Sequence, residues 1–228
     1  MSSPKILALD CSTEYCSVAL LEGEKIVVRD EHAEQRHSER VLAMVDAVLI
    51  TSAVKLSDLS AIAFGSGPGS FTGLRIATGV AQGLAFGANV PVIPVPTLLA
   101  LAHATQQDRV LAVLDARMGE VYAAAYERID GEWRTVFAPC LCKPDAVPLL
   151  PDGLWNGVGS GFAAYGEALH KRFATQLGAM DAACYPHARE IARLALDRLH
   201  EACPAEQALP LYIRDKVALT ESERRVGK

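Results

Sequence analysis

The sequence predicts an α/β chain of two similar lobes with mixed sheets, and three observations carry that expectation. Apolar runs of strand length alternate with helical stretches. The strand-turn-strand unit that opens the chain returns, in the same order and length, from Arg109. Half of the 228 residues are hydrophobic and 21% are charged, which supplies core material for two compact lobes and excludes a disordered or low-complexity chain.

The elements follow in order. Residues 6–9 and 17–21 are apolar runs separated by the polar turn 10–16, and 25–29 is a third run, so the chain opens as an antiparallel meander. A helix over 38–50, a strand at 61–65, a Gly/Pro-rich loop, a helix over 72–86 and a strand at 90–95 then alternate as in a crossover sheet. The second unit begins with 109–114, ends that strand in Asp115, turns at Gly119 and returns along 120–128. A strand at 133–142, a short Pro-bounded helix near Asp145, a strand ending at Gly157 and helices over 162–173 and 189–201 complete it. Duplication places an N-terminal lobe at 1–103 and a second, degenerate lobe with the C-terminal helix and tail at 108–228.

Composition narrows the function. With 22 basic against 27 acidic residues the net charge is -5, a field that repels polyanions and argues against a stand-alone nucleic-acid binder. The six cysteines contain no C-x-x-C pair, so they read as small hydrophobes in a reducing compartment. The opening apolar run is too short for a signal peptide, and Pro91, Pro94 and Pro96 interrupt the uncharged stretch after Arg75 before a membrane span could form. A cytoplasmic protein with no membrane partner is expected.

Both repeated turns begin with an aspartate at the end of a buried strand, Asp10 and Asp115. Such paired hairpins resemble those that open the two lobes of the actin, sugar-kinase and chaperone ATPase superfamily, where the turn generally reads Asp-x-Gly so that amides close on phosphates. Here the third positions are Ser12 and Arg117, whose β-carbons hinder that approach. The loop from Gly65 to Gly73 fits neither a P-loop nor a dinucleotide fingerprint; it offers caps at Ser70 or Thr72 and amides open to an anion. The helix after it has its polar side chains, Arg75, Thr78 and Gln82, on one arc, with Gly73, Ala77, Ala81 and Ala85 forming one ridge of small residues and Gly79 and Gly83 another. In the helix before it, Val41, Met44, Val45, Val48 and Leu49 make a core face, while Ala43, Ala47 and Ile50 form a second apolar stripe on the other side. One sheet cannot cover both, which points to a protein partner. His32 and His37 are five apart, no H-x-x-x-H occurs, and His103, His170, His187 and His200 are isolated, so no metal site is expected. No hydrolase nucleophile is found. Residues 210–218 form a compact mixed stretch, and Arg224, Arg225 and Lys228 end the chain with positive charge open to RNA within an assembly.

Four segments taken together resemble one family over nearly the whole chain, the TsaB (YeaZ) family: Ile6-Leu7-Ala8-Leu9-Asp10 with Cys16-Ser17-Val18-Ala19-Leu20, the run Gly67-Pro68-Gly69-Ser70-Phe71-Thr72-Gly73-Leu74-Arg75-Ile76, Asp115-Ala116-Arg117-Met118-Gly119-Glu120-Val121-Tyr122, and Pro210-Leu211-Tyr212-Ile213-Arg214. The resemblance implies an actin-like, ribonuclease H-like duplicated fold. It also implies a place in the bacterial machinery that makes threonylcarbamoyladenosine beside the anticodon of tRNAs reading ANN codons. In that family the chain is a noncatalytic subunit with no catalytic residue or metal of its own. Its paralogue TsaD carries the H-x-x-x-H metal site and the nucleotide, and pairs with it through the first two helices, while TsaE joins as an ATPase. The expected interface is Ala43, Ala47 and Ile50 with Gly73, Ala77, Ala81 and Ala85, which also serves a weak homodimer. The tRNA is met only through the complex, and ATP or ADP binds weakly or at the joint between subunits. The alternative is an active actin-like ATPase or small-molecule kinase using Asp10, Ser12 and Arg117.

Overall fold

The structure is a computed structural model and describes residues 3–214. The first half runs β1 (Lys5–Asp10), β2 (Tyr15–Glu22), β3 (Lys25–His32), α1 (His37–Ser52), β4 (Ala61–Gly67), α2 (Phe71–Ala88), β5 (Val92–Pro96) and α3 (Thr97–His103). The second runs β6 (Arg109–Arg117), β7 (Glu120–Ile129), β8 (Glu132–Cys142), β9 (Trp155–Val158), α4 (Ser160–Phe173), β10 (Leu177–Asp181) and α5 (Ala188–Asp197). One sheet has the order β3-β2-β1-β4-β5 and the other β8-β7-β6-β9-β10. In each, three antiparallel strands lead into two parallel ones. The duplicated, two-lobe α/β plan with mixed sheets is therefore present strand for strand.

Both faces of each sheet are covered at its central strands, which is why β1, β2, β4 and β6 read as apolar runs. On β1, Leu7 and Leu9 face outward under α1 and α2, meeting Val41, Val45, Ala77 and Ala81. Ile6 and Ala8 face inward, onto a central core that α3 and α5 share with Val110 and Ala112 of the second sheet. On the far side, Trp155, Phe162, Leu169 and Phe173 pack α4 against Leu111 and Val113. The layers are helix, sheet, helix, sheet, helix.

Three differences from the expected elements have physical reasons. Helix α3 was not anticipated because residues 97–102 are buried all round, so its sequence carries no amphipathic stripe. Strand β10 was missed because it is a five-residue edge strand with three exposed positions and no alternation. The C-terminal helix ends at Asp197, followed by a separate 3-10 turn at Leu199–Glu201, and α5 packs against β1, β2 and β4 of the first sheet. That helix lies in the 108–228 half by sequence, yet it covers the other lobe. The basic residues Arg224, Arg225 and Lys228 lie outside the described residues. Among those described, no helix is long and apolar enough to cross a membrane.

Candidate functional site

The two lobes face each other across a cleft of about 910 Å³ that both repeated hairpins line, through Ser12 and Thr13 on one side and Asp115 and Arg117 on the other. The ends of β1 and β6 bring these positions together, as the duplication requires. Within the first hairpin, the Ser12 amide and hydroxyl both donate to Asp10 Oδ1, at 2.9 and 2.8 Å. Asp10 is fully buried; its second oxygen has no partner and rests on Gly65, where a β-carbon would stand 1.8 Å from it. Burial pushes its carboxyl up to about 6, against the pull of the Ser12 hydrogen bonds and His187. Within the second hairpin, the Arg117 amide donates to Asp115 Oδ1 at 2.8 Å, the Arg117 guanidinium pairs with Oδ2 at 3.1 Å, and the Tyr165 hydroxyl donates to Oδ1 at 3.2 Å. Each hairpin thus turns one amide and one side-chain donor onto its own carboxylate.

The Gly/Pro-rich loop completes that closure. The Ser70 amide donates to the Ser12 carbonyl at 2.7 Å, and the Gly67 amide to Thr97 Oγ1 at 3.0 Å. Ser70 caps α2, its hydroxyl accepting from the Gly73 amide at 3.3 Å. A β-carbon on Gly69 would stand 2.4 Å from the Ser12 carbonyl oxygen, and one on Gly73 1.8 Å from that of Cys11. These glycines let the loop lie down on the hairpin. Of the loop amides, expected to be open to an anion, those of Gly67, Ser70 and Gly73 are engaged within the protein.

A second polar cluster ties the hairpin strands to α5 and was not legible beforehand. The Ala188 amide donates to the Ser17 hydroxyl at 2.8 Å, that hydroxyl donates to Asp30, and His187 Nδ1 meets the same carboxylate at 3.2 Å. The hydrogen bond to Asp30 raises the His187 pKa over the opposing effect of burial. Burial works against the charge on Asp30, but hydrogen bonds from His187 and Ser17 hold its pKa below the ordinary value. No group of three His, Cys, Asp or Glu among the described residues is arranged to hold a metal ion.

The outer face of α1 and α2 is only partly the expected one. On α1, Ala43 is exposed, Ala47 is half-buried, and Ile50 is 79% exposed, with Leu42 beside them at 51%. On α2 the assignment of Gly73, Ala77, Ala81 and Ala85 is corrected: all four are buried against the first sheet. The exposed crest is instead Gly79, Gly83 and Gly87 with Phe86, which is 82% exposed, and a β-carbon on any of the three glycines would meet nothing within 4 Å. Both ridges are small residues at fourfold spacing, so size alone could not separate them. Phe86 gives no signal either, since a large apolar side chain is more often inside, and here it stands 82% exposed beside the glycines. The polar arc faces the C-terminal segment, where Gln82 Nε2 donates to the Ala208 carbonyl at 3.0 Å and Arg75 Nε to the Tyr212 hydroxyl at 3.1 Å.

Residues 27–222 match the family described as TsaD: tRNA N6-adenosine threonylcarbamoyltransferase. The tRNA threonylcarbamoyladenosine biosynthesis protein TsaB of Haemophilus influenzae is 40% identical over 231 residues, covering 95% of this chain and 96% of that protein. Its namesake in Escherichia coli K12 is 39% identical over 224 residues, covering 94% and 96%. The solved structure of YeaZ from Pseudomonas aeruginosa superposes with a TM-score of 0.86 at 42% identity, covering 92% of this chain and 99% of that one. The duplicated two-lobe fold and these relatives together show that the chain belongs to the TsaB (YeaZ) family of tRNA threonylcarbamoyladenosine biosynthesis proteins.

Proposed function

We propose that the chain is the noncatalytic scaffold subunit of a threonylcarbamoyl-transferring assembly. It partners a TsaD-type transferase, with a TsaE-type ATPase joining, to modify the adenosine adjacent to the anticodon in tRNAs reading ANN codons. The observation that carries this reading is the closure of the hairpins: Asp10 is fully buried beneath Ser12 and does not line the cleft, and Asp115 is held by Arg117 and Tyr165. Such a cleft has lost its grip on nucleotide, so ATP or ADP is held weakly or at the joint with the partner.

The docking surface is the α1/α2 face, with Ala43, Ala47 and Ile50 on one helix and Gly79, Gly83 and Phe86 on the other. A glycine crest lets a partner helix approach the α2 backbone closely, and Ile50 and Phe86 are then buried. In the absence of the transferase the same face supports a weak homodimer. The acidic balance leaves tRNA to be met through the complex, in the cytoplasm.

The test is reconstitution of tRNA modification from purified components with and without this chain. Modification is expected to fall to background when it is omitted, and Ile50→Asp or Phe86→Asp is expected to abolish co-elution with the transferase. Calorimetry of the isolated chain with ATP and magnesium checks the rival kinase or ATPase, and tight binding with turnover would overturn the scaffold reading.

A further inference from the structure

Residues 209–214 run across the mouth of the cleft and are fastened at both ends. On the first lobe, the Leu211 amide donates to the Ser66 carbonyl at 2.7 Å, and Arg75 Nε donates to the Tyr212 hydroxyl at 3.1 Å. The Tyr212 ring lies 5.4 Å from that of Phe71, and the Arg75 guanidinium sits 4.0 Å from the Phe71 ring centre, so ring, ring and cation form one cluster at the start of α2. On the second lobe, Arg214 donates to the Ala116 carbonyl at 3.1 Å, pairs with Glu120 at 2.9 Å and reaches the Met118 sulfur at 3.6 Å. Its side chain is only 15% exposed. Ala116, Met118 and Glu120 flank the second hairpin, and Ile213 between the two anchors packs onto the central core.

The lobes share the central core, so any relative motion is left to the cleft walls beyond it, which can open or close unless something bridges them. In a cleft that opens and closes on a ligand, the ligand is that bridge. Here Asp10 is buried beneath Ser12 and Asp115 is held by Arg117 and Tyr165, while a short stretch of the chain itself joins the first lobe's loop to the second lobe's hairpin. We propose that residues 209–214 are a built-in tie that holds the cleft at one opening, with Tyr212 as the anchor on α2 and Arg214 as the lock on the second hairpin. The chemistry suits the task. A planar guanidinium addresses a carbonyl and a carboxylate at once, in a fixed direction, and its low exposure spares the ion pair from screening by salt. Lysine at this position keeps the charge and loses the fork. The inference stands on these contacts alone and does not depend on which partner covers α1 and α2.

Hydrogen exchange on the full chain tests it, comparing the wild type with Arg214→Ala, Arg214→Lys and the milder Tyr212→Phe. Arg214→Ala is expected to speed exchange at least tenfold at residues 115–120. It is also expected to speed exchange at residues 12–14 and at Ser160, Ala163 and Ala164, which line the cleft but have no hydrogen bond or ion pair to Arg214, while β1 and β4 stay unchanged. Arg214→Lys and Tyr212→Phe are expected to shift the same segments by a smaller factor. Faster exchange confined to 115–120 would reduce the tie to a local clip and overturn the proposal. So would no change at the cleft walls, or a uniform rise through the whole chain.

Discussion

Asp10 and His187 are where single residues decide how the molecule responds to pH. Folding buries Asp10 with one oxygen unpartnered, and its carboxyl is pushed up to about 6 from the ordinary 3.8. Its contribution to stability is therefore present while it is protonated in both states and is lost as pH rises through 6. The full span is worth about 3 kcal/mol at 1.36 kcal/mol per unit. His187 gains a carboxylate partner in Asp30 and its pKa is raised, so its contribution is present below the ordinary imidazole value and is lost as pH climbs past the folded one. Both terms have the same sign, while burial lowers the His103 pKa and gives a smaller opposing rise below the ordinary imidazole value. Urea unfolding is expected to give a lower midpoint at pH 8 than at pH 5. Asp10→Asn should flatten the part of the fall below pH 6, and His187→Gln the part above it. A midpoint that rises toward pH 8 in the wild type would contradict this account. The aspartates and their non-glycine neighbours were plain in the sequence because a hairpin is local. The partnership of Ser17, Asp30 and His187 was not, since the Ser17 to Ala188 bond joins residues 171 apart in the chain.

At the scale of an element, α2 shows two ridges of small residues with opposite duties. Gly73 touches the Cys11 carbonyl, whereas Gly83 faces open space. Gly73→Ala is expected to destabilise by more than about 2 kcal/mol, because a β-carbon cannot be placed without moving the hairpin backbone. Gly83→Ala is expected to stabilise the isolated chain by about 0.5–1 kcal/mol, as for any exposed mid-helix glycine. Ala81→Leu, under the first sheet, should cost about 1–3 kcal/mol through overpacking. Thermal midpoints of the three variants check all of these, and a loss of stability in Gly83→Ala would show that the crest is already covered. The helix and its cap were readable from periodicity and from Ser70. Which ridge faced the sheet was not, because alanine and glycine carry too little side chain to give the helix a distinct apolar side.

For the whole molecule, the consequence of the layered plan is that the two halves of the sequence are not two independent folding units. The inner face of the first sheet, with Ile6, Ala8, Ala61 and Ala63, is covered by α3 and α5, and α5 belongs to the second half of the chain. A fragment of residues 1–107 keeps α3 but lacks α5, which uncovers the part of that face under α5, and it is expected to lack the cooperative unfolding transition of the full chain. Circular dichroism during heating checks this, and a sharp transition in the fragment would refute it. Repeated strand order, the two aspartate turns and the loss of glycine after them were written in the sequence, since each depends on neighbours within a few positions and on strand or helix period. Only the tertiary structure decided which side of α2 is exposed, that α5 crosses to the other lobe, that the Gly67, Ser70 and Gly73 amides are used internally, and that residues 209–214 bridge the cleft. Those outcomes rest on pairs such as Arg75 with Tyr212, 137 positions apart, and no local pattern carries information about which distant surface a segment will meet.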